Sequence, residues 1–278
     1  MRLDWIVVML ATLSTLACCS AVAGTLSPMH LRCEFRVDPL GIDVAAPRLS
    51  WIVESEQRAR KQTAYRVLVA TTPEKLAEDN GDLWDSGKVA SDQTSSMVYA
   101  GAPLASRMRC HWKVMVWDND DAPSDWSASA LWTMGLIEDA EWQAKWIGHD
   151  TRDLNEDPEL MLPPSPYFRK PFEAGKPVRR ATVYTSALGL IDLSINGRRV
   201  GDDYFTPGWS DYNQRVYYRT YDVTGLIEEG ENAIGAILSN GWYAGYVGFG
   251  LLQNRGNAGR AFYGEVPGLL TQLEIEYE

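Results

Sequence analysis

Hydrophobic and polar positions take turns along much of this chain. In Ile191-Asp192-Leu193-Ser194-Ile195 the alternation is strict, so an extended segment there buries one face and wets the other. Asn196-Gly197 follows, the dipeptide that best tolerates the positive φ values of a two-residue hairpin turn. Arg198-Arg199-Val200 then returns as the partner strand. The same period places Tyr65, Val67 and Val69 on one face of residues 64–71. It also sets Trp112, Val114 and Val116 against Lys113, Met115 and Trp117 on opposite faces of 110–118.

Segments of this kind recur with turn signals between them. A first group covers 31–37, 49–55, with Trp51 as a core ring, 64–71, 83–86, 97–100, 110–118 and 131–134. Residues 73–79 interrupt it as a short helix or turn, with Pro73 at the first position. This spacing predicts a β-sandwich of the fibronectin type III or immunoglobulin-like kind over residues 24–136. Residues 137–166 read as a linker, its start a short helical piece and 150–166 a polar, Pro-rich loop. A second group covers 167–172, 180–186, 190–195, 198–201, 216–222, 232–238 and 269–277. The expected fold class is therefore all-β, with two tandem β-sandwiches, the second over 167–278. That sandwich reads as incomplete at its C-terminus, with 269–277 an unpaired final strand and an aggregation hazard.

Charge narrows the partners. The formal net charge is −11, with no large Lys/Arg cluster to offset it, so nucleic acid and anionic lipid are repelled. A neutral sugar or a cation such as calcium is compatible. Residues 1–23 read as a signal peptide, with Arg2, an apolar run over 6–16 and the small-residue pattern Ala21-Val22-Ala23. Lipid attachment at Cys18 or Cys19 is the alternative, and either route predicts export to the periplasm or the medium. The remaining cysteines, Cys33 and Cys110, belong on different sheets and are expected as two buried thiols, a bridge being the alternative.

Aromatics carry the next signal, with Trp 11 and Tyr 13 against Phe 6. A sugar site needs an aromatic platform for C–H faces plus a few fixed polar groups. Trp209, Tyr212, Trp242, Tyr243, Tyr246 and Phe249 supply rings in loop sequence, and Asp202, Asp203, Asn254 and Asn257 supply oxygens. The bland alternatives are a solvated turn at Asp202-Asp203 and core or interface packing for Trp242 and Tyr243. No acidic pair stands out as catalytic, and no Gly-x-Ser-x-Gly elbow, Walker loop or HExxH is present.

NGRRVGDDYFTPGWSDYNQRVYYRTYDVTG followed by NGWYAGYVG resembles the amino-terminal β-sandwich of bacterial α-L-rhamnosidases, glycoside hydrolase family 78. LRCEFRVDPLGIDVAAPRLSW, TAYRVLVATTPEKL, LWDSGKV and HWKVMVWDNDDAPSDWS resemble that family's first, fibronectin-like module. The resemblance implies that the second unit is a jelly-roll, carbohydrate-binding-like sandwich. It also implies that the acid and base lie in a downstream (α/α)6 barrel, so the chain is a non-catalytic fragment. In some members a related module holds L-rhamnose through calcium. The resemblance places the metal at Asp202 and Asp203, and of the loop residues above, Trp209, Trp242, Tyr243, Tyr246 and Asn254 are the expected sugar contacts. The expected function is thus the accessory part of an α-L-rhamnosidase, contacting an L-rhamnose-containing glycan and a catalytic domain. The competing readings are a structural or adhesion-type tandem sandwich without a sugar site, and a self-sufficient hydrolase within the second sandwich.

Overall fold

A computed structural model describes residues 26–155, 163–248 and 259–278. Its first strands are β1 (Ser27–Cys33), β2 (Arg48–Glu54), β3 (Ala64–Ala70), β4 (Trp84–Asp85), β5 (Val89–Ala90), β6 (Met97–Val98), β7 (Arg109–Trp117) and β8 (Ala130–Thr133). They make two sheets, ordered β1-β2-β6 and β4-β3-β7-β8, with β5 also on β3. The later strands are β9 (Tyr167–Ala174), β10 (Val178–Leu188), β11 (Leu190–Ile195), β12 (Arg198–Arg199), β13 (Tyr218–Asp222), β14 (Gly230–Ser239) and β15 (Gly268–Tyr277). These form the sheets β13-β10-β15 and β12-β11-β14-β9. Helix among the described residues is limited to α1 (Pro73–Ala77), α2 (Gly241–Ala244) and short 3-10 turns. The protein is all-β, two sandwiches in tandem.

Each pair of sheets closes over the apolar faces that the alternation marks. Leu31, Cys33, Leu49 and Trp51 from one sheet meet Val67, Val69, Trp112, Val114, Val116 and Trp132 from the other. In the second sandwich Ala181, Val183 and Leu269 face Ile191, Leu193, Ile195 and Leu238. Each large apolar side chain removed from water here stabilises by about 1.5–3 kcal/mol before the entropic cost of ordering it. Strand β3 departs from simple alternation, because Leu68 is buried as well as its neighbours. The cause is α1, whose Leu76 covers the outer face of β3. Pro73 opens that helix, and the Thr72 hydroxyl caps it by accepting from Lys75 N at 3.3 Å.

Where expected segments differ, local chemistry explains it. The strand read over 31–37 lies at Ser27–Cys33 instead. Glu34 and Phe35 turn the chain with φ of 47° and 64°, and the Glu34 carboxylate accepts from Arg48 N at 2.6 Å. The final strand is not unpaired: β15 runs antiparallel to β10 from Val178↔Tyr277 to Leu188↔Gly268. Cys33 and Cys110 are buried free thiols on different sheets. Burial raises both, the Cys110 thiol to about 12, so neither reacts as a thiolate near neutrality.

The linker forms no regular α-helix over 137–146; a 3-10 turn at Asp139–Glu141 stands there. The Glu141 carboxylate explains it by accepting from Ile137 N at 3.1 Å and Glu138 N at 3.0 Å. The linker is fastened to both sandwiches. Gln272 Oε1 on β15 accepts from Gln143 N at 2.7 Å and Ala144 N at 3.2 Å. Ile147 and Leu269 exchange backbone hydrogen bonds of 2.9 and 2.7 Å. The Trp142 ring sits edge-on to Tyr218 and Tyr184, at 5.5 and 6.4 Å between centroids. Arg107, from the loop before β7, reaches across to Glu274 and Glu141. Strand pairing, ring packing and charge thus converge on one joint.

Candidate functional site

The site grows from the β11–β12 hairpin. Asn196 and Gly197 take φ of 51° and 74°, as their turn requires, and Ser194 pairs with Arg199. Past β12 the chain leaves the sheet through Asp202, Asp203, Tyr204 and Phe205, all exposed. It is tied back at Thr206, whose hydroxyl donates to Ile191 O at 2.8 Å while its carbonyl accepts from Ile191 N at 2.9 Å. This anchor fixes the turn that carries Trp209.

A second loop meets it. After β14 the single helical turn α2 presents Trp242 and Tyr243. The Trp242 ring lies flat against Trp209, with centroids 5.8 Å apart and planes 10° apart. Phe205 leans on Trp242 at 6.1 Å. Trp209 is 50% exposed and Phe205 69%, so this stack is a wet aromatic platform outside the core. Tyr243 belongs to an adjoining cluster in which Tyr212 contacts it edge-on at 5.3 Å and Tyr263 at 5.0 Å. Tyr246 is half-buried one turn further on, its backbone bridged to Arg260. Of the expected sugar residues, the fold joins Trp209 to Trp242 by ring contact, whereas Tyr243 packs into the Tyr212–Tyr263 cluster and Tyr246 is bridged through its backbone to Arg260. Asn254, Asn257 and Phe249 lie outside the described residues.

The acidic pair sits on the hairpin side. Tyr221 donates its hydroxyl to Asp203 Oδ2 at 2.9 Å, and Arg199 Nη2 donates to the Asp203 carbonyl at 2.5 Å. Burial and then the Asp203 carboxylate push the Tyr221 hydroxyl well above its ordinary range, so it stays protonated and donates. Asp202 is exposed. Among the described residues, no three His, Cys, Asp or Glu side chains gather as a metal cluster. Calcium takes about six to eight oxygens, many from carbonyls, waters or a ligand. Asp202 and the second oxygen of Asp203 are two such donors.

Phe205, Phe262 and Tyr263 complete the aromatic face and were not among the expected residues. Phe205 had a signal: an apolar ring next to an acidic doublet and ahead of Pro207, in a stretch with no alternation. It holds φ of 57°, unusual for a bulky residue. Phe262 and Tyr263 owe their place to pairing of 243–247 with 259–263, in which Val247 N donates to Gly259 O and Ala261 N to Gly245 O, both at 3.1 Å. No local pattern encodes that register.

Carboxylates are plentiful among the described residues. Among the described residues, those whose acidity departs from the ordinary are all lowered, held down by arginine or lysine partners, hydroxyls and backbone N–H groups. A glycosidase acid needs the opposite, a carboxyl kept protonated by its surroundings. No helix among the described residues is long and apolar enough to cross a membrane.

Comparison with known proteins fits this architecture. Residues 28–138 match the model of the Rha78A-like, N-terminal immunoglobulin domain, and residues 176–278 match that of the alpha-L-rhamnosidase N-terminal domain. An α-L-rhamnosidase of Formosa agariphila is 37% identical over 243 residues, 86% of this chain and 25% of that protein. The α-L-rhamnosidase structure from Dictyoglumus thermophilum superposes with a TM-score of 0.78 at 36% identity, over 91% of this chain and 28% of its own. The Streptomyces avermitilis α-L-rhamnosidase complexed with L-rhamnose gives 0.77 at 28% identity, over 91% and 39%. The chain spans a quarter to two fifths of the length of these relatives. With both sandwiches matched in order, the chain belongs to the α-L-rhamnosidase family and corresponds to its amino-terminal region.

Proposed function

We propose that these residues form the sugar-presenting, non-hydrolysing part of an exported α-L-rhamnosidase. The whole protein would remove terminal L-rhamnose from glycans or glycosides by inverting hydrolysis in a separate catalytic domain. The observation that carries the sugar-binding part is the Trp209–Trp242 stack, open to solvent at Trp209 and flanked by Phe205. A deoxy-sugar has an apolar face that suits such a ring, and its hydroxyls need fixed polar partners nearby. The relative solved with L-rhamnose supports the choice of sugar.

Asp202 and Asp203 are the residues that would hold a calcium ion, with backbone oxygens completing the set. Bound there, the ion would supply a positive centre for two neighbouring sugar hydroxyls. The leader-like residues 1–23 support the export part of this reading.

Calorimetric titration of the chain with L-rhamnose, with and without calcium, tests this. Binding that Trp209→Ala weakens about tenfold, roughly 1.4 kcal/mol, is the expected result. A calcium requirement lost in Asp202→Ala and Asp203→Ala would support the ion. No heat with either addition would favour the structural, sugar-free tandem. Release of an aryl leaving group from a rhamnoside by this chain alone would overturn the non-hydrolysing assignment.

A further inference from the structure

The joint between the two sandwiches encloses one side of a cleft of about 950 Å³. Its walls come from the loop after β1, the linker, and the segment leading into β13. That volume lies at the upper end of the range of about 300–1,000 Å³ typical of small-molecule sites, which favour domain interfaces. We propose that this cleft is a second glycan site, separate from the Trp209 platform, that takes an uncharged oligosaccharide.

Three observations support the ligand class. First, two of the lining rings are not used by either core: Trp146 is 45% exposed and Tyr217 is 40% exposed. Arg215 lies 4.8 Å over the Tyr217 ring and donates to its hydroxyl at 3.2 Å, which sets the ring's orientation. Oriented, solvated rings of this kind suit the C–H faces of sugars. Second, exposed carboxylates of Asp43, Asp139 and Asp203 line the same space, ready to accept from hydroxyl groups. Third, the guanidinium groups of Arg36, Arg215 and Arg219 line it too, so the carboxylates are matched in number. Signs that cancel leave no single-sign field to select an ion, whereas a ligand with many hydroxyls can use both donors and acceptors.

The cleft is also held in shape before any ligand arrives. Its two walls belong to different sandwiches, and Arg107, Glu141, Gln272 and Glu274 fasten them together. A preformed site avoids the cost of ordering its walls on binding. This inference shares a ligand class with the platform reading and one residue, Asp203, which lines the cleft; neither Trp209 nor Trp242 lines it. A chain with both sites would engage one glycan at two places, or two glycan strands at once.

The test is calorimetry of the full chain with neutral oligosaccharides ending in L-rhamnose, from monosaccharide to hexasaccharide. Affinity should rise with length by about tenfold or more and then level off. The double variant Trp146→Ala/Tyr217→Ala should abolish the rise, with circular dichroism unchanged because both rings are exposed. Trp209→Ala should lower monosaccharide affinity and leave the rise intact. Length-independent affinity, a rise that survives the double variant, or loss of all binding at every length in Trp209→Ala would each overturn the second site. Tighter binding of a uronate-bearing oligosaccharide than of its neutral counterpart would overturn the uncharged class. A rise with length without monosaccharide binding would keep the cleft and sink the platform, and no binding at any length would sink both.

Discussion

Arg107 and Glu274 lie 167 residues apart, yet Arg107 Nε and Nη2 each meet one oxygen of the same carboxylate at 2.7 Å. One residue belongs to the first sandwich and the other to the last strand of the second. Arg107 Nη1 also pairs with Glu141 in the linker. A planar guanidinium that binds one carboxylate through two parallel bonds fixes angle as well as distance.

Replacing Arg107 should therefore loosen the joint more than replacing an exposed intradomain arginine. Arg107→Met leaves two carboxylates facing each other with side chains only 29% and 23% exposed. The expected cost is about 1–2 kcal/mol, discounted for partial solvent screening. Arg66→Met, which breaks the more exposed pair with Asp85, should change stability by about 0.5 kcal/mol or less. Thermal unfolding compares the two, and small-angle scattering should show a larger radius of gyration only for Arg107→Met.

Acid should act on the same joint. The Ser106 hydroxyl, the Glu138 backbone N–H and Arg107 hold Glu141 down at about 2. Arg107 and then Gln272 hold Glu274 below its ordinary range. Both folded values lie below the unfolded glutamate value of about 4.3, so the folded state favours the ionised forms. Their contribution is complete above that value and is lost as pH falls toward about 2. Denaturant midpoints should fall below about pH 4.5, and the double variant Glu141→Gln/Glu274→Gln should show a shallower fall. A midpoint that rises on acidification would contradict the assignment.

The two sandwiches were legible in the sequence because alternation and turn chemistry are local. Trp112, Val114 and Val116 share one face in any extended conformation, and the fold buries all three completely. Asn196-Gly197 encodes its own backbone conformation, so the β11–β12 register follows from two residues. Burial of Leu68 was not legible, since it depends on α1 folding back over β3. Nor was the joint: nothing around Arg107 or Glu274 names a partner so distant in the chain, and charge pairs carry no period.

The candidate site divides the same way. Trp209 and Trp242 stood out as rings in turn-forming sequence, because Gly and Pro beside them argue against a core strand. Their stacking could not be read, because it depends on two loops 33 residues apart closing together. Asp203 was visible as a carboxylate beside a hairpin. Its engagement by Tyr221 follows from the pairing of β13 with β10, which no local sequence states.

Gly135 tests how tightly the linker is seated. A Cβ at this position would run into the Tyr218 hydroxyl, which accepts a 3.2 Å hydrogen bond from Leu136 N. Gly135→Ala should cost about 1–3 kcal/mol by overpacking. Tyr218→Phe removes the obstructing oxygen, so Gly135→Ala/Tyr218→Phe should be less destabilised than the sum of the single changes. Urea unfolding of all four forms gives the coupling directly, and strict additivity would mean that the clash is relieved elsewhere.

Asn232 holds the loop before β14 to the hairpin turn, and its substitutions should separate by chemistry. Its Oδ1 accepts from Glu228 N at 2.9 Å and Asn196 Nδ2 at 2.8 Å. Its Nδ2 donates to Glu228 O at 2.7 Å and Gly230 O at 2.9 Å. The residue is only 5% exposed, so water cannot replace these partners easily. Asn232→Ala should cost about 2–3 kcal/mol, because buried groups lose partners at both ends of the amide. Asn232→Asp keeps the acceptor but points a carboxylate at two carbonyl oxygens, so at neutral pH it should be at least as destabilising. Protonation restores a donor, so the gap between Asn232→Asp and the native chain should narrow as pH falls through the carboxylate range. Denaturant midpoints at pH 7 and near pH 4 measure this, and a gap that widens on acidification would show that the amide nitrogen contributes little.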